Sequence, residues 1–184
     1  MNKTRVFRFL PVLLVAALCV APCTASAADM IDPATYICAE LSTQSTVSND
    51  PPVFESLQID GYASAKEGKD VAEPTVLAGL LIEVGGQCAT RPASTVLSLW
   101  EKARKDKPIA QDGPWTALKA TCQQLNENHD DGDSFVVWLD AYNRQKTGKP
   151  DSILGTQETF DAYFAACKAN PDKLMLDVVR ELAK

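Results

Sequence analysis

Apolar positions along most of the chain recur at helical spacing, as in Val96, Leu97 and Trp100, or Leu174, Val178 and Leu182. No run alternates with period two and β-branched enrichment, so strands are not expected. The pattern predicts helices over 33–47, 51–66, 73–85 and 92–105, then over 114–127, 133–146, 156–169 and 171–183. Their starts are marked by proline. Asp32-Pro33, Asp50-Pro51 and Asn170-Pro171 place a capping residue before a proline. Arg91-Pro92 and Gly113-Pro114 open two more helices. The helix over 73–85 carries Val76, Leu77, Leu80, Leu81, Ile82 and Val84 and is apolar nearly all round, the mark of a helix central to a core or an interface.

The pattern occurs twice. "DGYASAKEGK" (60–69) and "DAYNRQKTGK" (140–149) both fit D-x-Y-x-x-x-K-x-G-K. Cys88 to Pro92 matches Cys167 to Pro171 as C-x-x-x-P, and "CAEL" at Cys38 is echoed by "CQQL" at Cys122. Three echoes in one order, with nearly constant offset, indicate a duplicated unit. The expected organisation is a unit at 28–105, a polar linker at 106–113 ("DKPIAQDG") and a second unit at 114–184. Gly68 and Gly148 sit where the second helix of each unit should stop, and the adjacent lysines suit the negative end of the helix dipole. The echoed segment thus reads as a helix terminator, with Tyr62 and Tyr142 facing the core.

Residues 1–27 carry a basic start (Lys3, Arg5, Arg8), a short apolar run and Ala25-Ser26-Ala27, the pattern of a cleaved secretory signal. Its removal leaves Cys38, Cys88, Cys122 and Cys167, and shifts the net charge from −6 to −9. Four cysteines in an exported chain read as two disulfides. Each unit holds two at equivalent positions, so the expected pairs are Cys38–Cys88 and Cys122–Cys167. Each would stabilise a small unit by about 4 kcal/mol on the chain-entropy model. An acidic exported chain lacks the basic footprint for nucleic acid or anionic membrane surfaces.

Catalytic signatures are not found. The single histidine, His129, lies in the polar stretch "NENHDDGD", read as a loop, with no nucleophile near it in sequence. An EF-hand with its glycine at Gly132 would need an acidic ligand where Trp138 stands, so no metal is expected. No P-loop, dinucleotide fingerprint or zinc spacing occurs, and no cofactor is expected. The chain is therefore read as a non-enzyme.

A signal sequence, all-helical units with one disulfide each, "GY" and "AY" helices between the cysteines, and a C-x-x-N-P step into the last helix resemble the HdeA/HdeB family of periplasmic acid-stress chaperones, here in tandem. The second unit carries the likeness best, in "FVVWLDAYNRQKTGK" and "CKANPDKLMLDVV"; the first has "ICAEL", "DGYASAKEGKD" and "CATRP". The resemblance implies two small four-helix domains. It also implies ATP-independent holdase activity in the periplasm: acid loosens the fold, and exposed apolar surface binds denaturing proteins until neutralisation. The C-terminal "LDVVRELAK" is only modestly basic, unlike the lysine-rich ends of such proteins. The two units are expected to pack as a pseudo-dimer, to form a homodimer, or to face separate partners.

The charge suits an acid switch. Protonating the 24 acidic groups would carry the mature chain from −9 to about +16. Asp32 and Asp50, as helix caps, are expected contributors. The candidate client surface is Phe54, Leu57, Val76, Leu80, Leu81, Phe135, Trp138, Leu139 and Phe160. The alternative is an interaction or structural module on the same fold, binding a fixed envelope partner without acid.

Overall fold

The computed structural model describes residues 30–48, 50–105, 107 and 112–183; the segment read as a signal sequence and most of the expected linker lie outside them. Among the described residues the chain is all-helical, with eight helices and no named strand. They are α1 (Cys38–Ser48), α2 (Val53–Glu67), α3 (Pro74–Cys88), α4 (Val96–Lys105), α5 (Cys122–Glu127), α6 (His129–Thr147), α7 (Gln157–Ala169) and α8 (Met175–Leu182). Disulfides join Cys38 to Cys88 and Cys122 to Cys167, each tying the start of one helix to the end of another. Such bonds point to an oxidising compartment. No helix among the described residues is long and apolar enough to cross a membrane.

Four helices start later than the prolines suggest. Residues 33–37, 92–95, 114–121 and 171–174 form turns and extended lead-ins instead. The reason is pairing between the lead-ins. Ile37 pairs with Thr95, and Thr121 with Leu174, as single antiparallel β-contacts beside the disulfides. The flanking bonds repeat as well. The Cys38 N–H donates to the Ser94 carbonyl at 2.9 Å, and the Cys122 N–H to that of Lys173 at 2.9 Å. The Val96 N–H donates to Tyr36, and the Met175 N–H to Ala120, both at 2.9 Å.

The caps differ accordingly. Asp32 holds a turn, accepting from the Ala34 N–H at 3.0 Å and the Thr35 hydroxyl at 3.0 Å. Asp50 is not the cap of α2; that place is taken by Pro52, with no side-chain cap bond. Asn170 closes α7 rather than opening α8. The side-chain caps are Thr156 on α7 and Thr121 on α5, the latter in a reciprocal capping box with Gln124. His129 is not in a loop: it starts α6, whose first turn carries Asp130 and Asp131 at the positive end of the dipole. Gly68 and Gly148 end α2 and α6 in the left-handed region (φ 74° and 66°), which glycine enters without steric cost.

The central helices are α2 and α6, which share the most extensive contact in the molecule. Each is buried on nearly every face around that contact. Small residues make this approach possible. A Cβ at Gly61 would overlap the Trp138 carbonyl oxygen, so only glycine allows the two backbones to meet there. One apolar cluster gathers Tyr36, Leu41, Ile59, Ala63, Leu80, Val84 and Trp100. The other gathers the second-half residues Leu125, Phe135, Trp138, Leu139, Tyr163 and Val179, together with Leu57 and Ala65 from α2. α2 thus belongs to both cores. Tyr142 is buried in the second core, and Tyr62 is half-buried against the first.

Of the two places expected for the apolar α3, a core or an interface, it does not take the core. It buries only Leu80, Val84 and Cys88, and Ile82 is 78% exposed. Its apolar character is spent on a surface rather than on packing.

Candidate functional site

Two carboxylates sit at equivalent places in the echoed segment and do different work. Asp60 of α2 accepts hydrogen bonds from the indole N–H of Trp100 at 2.9 Å and of Trp138 at 2.9 Å. It also pairs closely with the buried guanidinium of Arg104. One side chain of the first half thus holds two partners from its own half and one from the other.

Asp140 of α6 is wholly buried. It accepts from the Ser152 hydroxyl at 2.7 Å and the Ile153 N–H at 2.9 Å, with Arg144 Nε 3.1 Å away. Burial pushes its pKa up from the usual carboxylate value, against the opposing pull of Arg144 and of its hydrogen bonds. Arg144 makes another polar tie between the halves, donating to the Ile31 carbonyl at 2.9 Å and to Gln58 Oε1 at 3.0 Å.

The connection between helices explains the difference. From α6 to α7 it spans nine residues, 148–156; from α2 to α3 it spans six, 68–73. The longer one brings Ile153 and Leu154 into the core over Asp140, both buried. The shorter one turns away, and Val71 pairs with Thr116. The Ala72 N–H donates to Trp115 at 2.9 Å, and the Ala117 N–H to Asp70 at 2.7 Å. Over Asp60 this leaves a cleft of about 450 Å³ between α2, α3 and α6.

Leu57, Leu77, Leu81, Ile82, Trp115, Phe135 and Trp138 supply its apolar wall, with Asp60, Glu73, Asp131 and Ser134 its side-chain polar groups. The aromatic wall continues inward as a ladder. Ring centroids are 5.2 Å apart for Trp115–Phe135, 5.5 Å for Phe135–Trp138 and 5.2 Å for Trp138–Tyr142.

Of the apolar residues singled out from the sequence, the fold brings Leu57, Leu81, Phe135 and Trp138 together on this cleft. It places the others elsewhere. Leu80 and Leu139 are buried in the two cores, and Val76 and Phe54 are half-buried against them. Phe160 is half-buried on α7, edge-to-face with Phe164 at 5.0 Å. Sequence reasoning missed Asp60, Arg104 and Trp115. The first was visible as the repeated first letter of the echo, D-x-Y, yet was read only as part of a helix end.

The described cysteines are all in disulfides, and no group of three or more His, Cys, Asp or Glu side chains is arranged for a metal among the described residues. Comparison with models of known protein families, with characterised proteins and with solved structures finds no match to this chain.

Proposed function

We propose that this protein is an exported, ATP-independent holdase of the HdeA/HdeB type, built as two tandem four-helix domains and activated by acid in the periplasm. Its clients are periplasmic proteins that denature in acid, and it acts without a cofactor. The observation that carries this reading is the Asp60 clamp. A charged carboxylate holds Trp100, Arg104 and Trp138 together at the junction of the halves.

Neutralising the carboxylate of such a clamp removes the closest counter-charge of a buried guanidinium and leaves Glu67, 3.7 Å from Arg104 Nε, to balance it, a costly state. Strong acid neutralises carboxylates as a class and leaves the whole chain positively charged and self-repelling. The halves then loosen at α2 and α6, and the apolar residues between them become client surface. The disulfides within each half keep the opened chain compact. Because both halves are in one chain, reclosure is intramolecular and independent of dilution.

Asp140 works in the opposite direction. With its folded pKa raised, it favours the folded state as pH falls. The opening is assigned to the junction, where the Asp60 clamp lies.

The open cleft favours a second reading, a module that binds a fixed envelope partner in the closed fold, since Ile82 and Val53 are exposed there without any opening. An apolar fluorescent dye separates the two. The holdase binds dye on acidification to about pH 2, far below ordinary carboxylate values, and releases it on neutralisation. Dye binding that is the same at neutral pH and in acid contradicts the acid switch and favours the module.

A further inference from the structure

We infer that α3 is a strap. Pinned at both ends, it unwinds in its middle and leaves the first core while α2 and α6 stay packed, at neutral pH and without a client. The pins lie outside its own helical bonds. Before its start, Val71 pairs with Thr116 and the Ala72 N–H donates to Trp115 at 2.9 Å. At its end, Cys88 is bonded to Cys38. A segment held at both ends cannot swing away as a rigid rod. It gains slack by unwinding, since its 15 residues span about 22 Å as a helix and up to about 50 Å extended.

Three glycines ease that unwinding. A Cβ at Gly79, Gly85 or Gly86 would meet nothing within 4 Å among the described residues, and none of the three has the positive φ of Gly68 and Gly148. Neither packing nor backbone conformation calls for glycine here. What glycine supplies is a weak helix, because its unfolded backbone has the most freedom to regain. The hold of α3 on the rest of the molecule is also slight. Only Leu80, Val84 and Cys88 are buried, and the Glu83–Lys107 pair at 3.2 Å is too exposed to add much.

In the second half α7 takes the same place and is built the other way. It too is peripheral, burying Tyr163 and Cys167 alone, so position does not account for the contrast. Aligned on Cys88 and Cys167, the three glycines fall opposite Glu158, Phe164 and Ala165, and Ile82, 78% exposed, falls opposite Asp161. Thr156 caps α7 by accepting from the Thr159 N–H at 3.1 Å, and Gln157 donates to Asp161 at 2.8 Å across one turn. α7 is thus a reinforced helix with a polar outer face, and α3 a weakened one with an apolar outer face. Its opening carries Leu80 and Val84 out of the first core, and Leu77, Leu81 and Ile82 off the cleft. A minor state of the closed fold thereby offers apolar surface that owes nothing to the junction.

The test is hydrogen exchange at neutral pH, followed residue by residue by NMR on the full mature chain with its disulfides intact. Amides from Leu80 to Val84 should exchange faster than those of α2 and α6 and depend little on low urea, the sign of a local opening. The amides of Ala72 and Cys38, beside the pins, should exchange more slowly than that middle. α7 should be better protected than α3. Gly79→Ala, Gly85→Ala and Gly86→Ala create no clash, and each should raise α3 protection about fivefold, the three together about a hundredfold. The inference is overturned if α3 exchanges only as the whole chain unfolds, or if Ala72 or Cys38 is released with the middle. It is equally overturned if α7 exchanges as fast as α3, or if the glycine replacements leave α3 protection unchanged. No acid and no client are involved, so the outcome is independent of the holdase reading.

Discussion

Asp60 accepts a hydrogen bond from the indole of Trp138 at 2.9 Å, across 78 residues of sequence. That contact lies where α2 and α6 cross, one residue from Gly61, whose missing side chain lets the backbones meet. The polar tie and the close crossing therefore depend on each other.

Removing the charge of Asp60 should destabilise the fold at neutral pH. Asp60→Asn removes the closest counter-charge of Arg104, which is 3% exposed, and leaves Glu67, 3.7 Å from its Nε, to balance it. The expected cost is about 3–5 kcal/mol by urea unfolding. Asp60→Asn combined with Arg104→Met should recover much of it. A loss that persists unchanged in the double variant would mean that the indole bonds, not the ion pair, carry the effect.

Gly61→Ala should cost about 1–3 kcal/mol by forcing α2 away from α6, read as a lower urea midpoint. Gly79→Ala is the matched control. Nothing lies within 4 Å of a Cβ there, so it should be neutral or stabilise α3 by up to about 1 kcal/mol. Equal effects at the two positions would remove the close crossing from the account.

The pH dependence of Asp140 has a definite sign. Its folded pKa is raised by burial, so between that value and the ordinary one near 4 the folded state binds more proton than the unfolded. This contribution favours folding below the ordinary value and is lost as pH rises through the folded value. Asp140→Asn lacks it. Urea unfolding should therefore show a larger stability loss in the variant than in the parent between neutral pH and about pH 4. A smaller loss in the variant would reverse the assignment.

The disulfides close loops with sequence separations of 50 and 45. Replacing either pair by serine should cost about 4 kcal/mol, seen as a lowered thermal midpoint, and reduction of the parent should cost more than either replacement.

Tyr163 is fully buried, burial drives its pKa far upward, and its hydroxyl has no hydrogen-bond partner among the described residues. Tyr163→Phe should therefore stabilise the protein by about 1 kcal/mol. A loss of similar size in thermal melts would reveal a partner for the hydroxyl.

The helical class was legible because apolar spacing is a local property, and the stops at Gly68 and Gly148 were legible because a left-handed cap selects glycine. Helix starts were less so. Pro33, Pro92, Pro114 and Pro171 fit the first turn of a helix equally well as the turn before it, and the choice is made by Ile37–Thr95 and Thr121–Leu174 pairing, a long-range event. The central pair was not legible for a related reason. Hydrophobicity pointed to α3 for a core or an interface, whereas the close approach of α2 to α6 depends on a small residue, Gly61, against the Trp138 backbone. The cleft was only partly visible. Leu57, Leu81, Phe135 and Trp138 could be picked as apolar, but the cavity exists because one connection is three residues shorter than its counterpart, an absence that acquires meaning only in three dimensions.

The most direct measurement of the central claim is light scattering of a periplasmic client taken to about pH 2 and back to neutral, with and without the mature protein. The account predicts suppressed scattering in acid, followed by recovery of client activity on neutralisation. Full aggregation of the client at several-fold excess of the protein contradicts it.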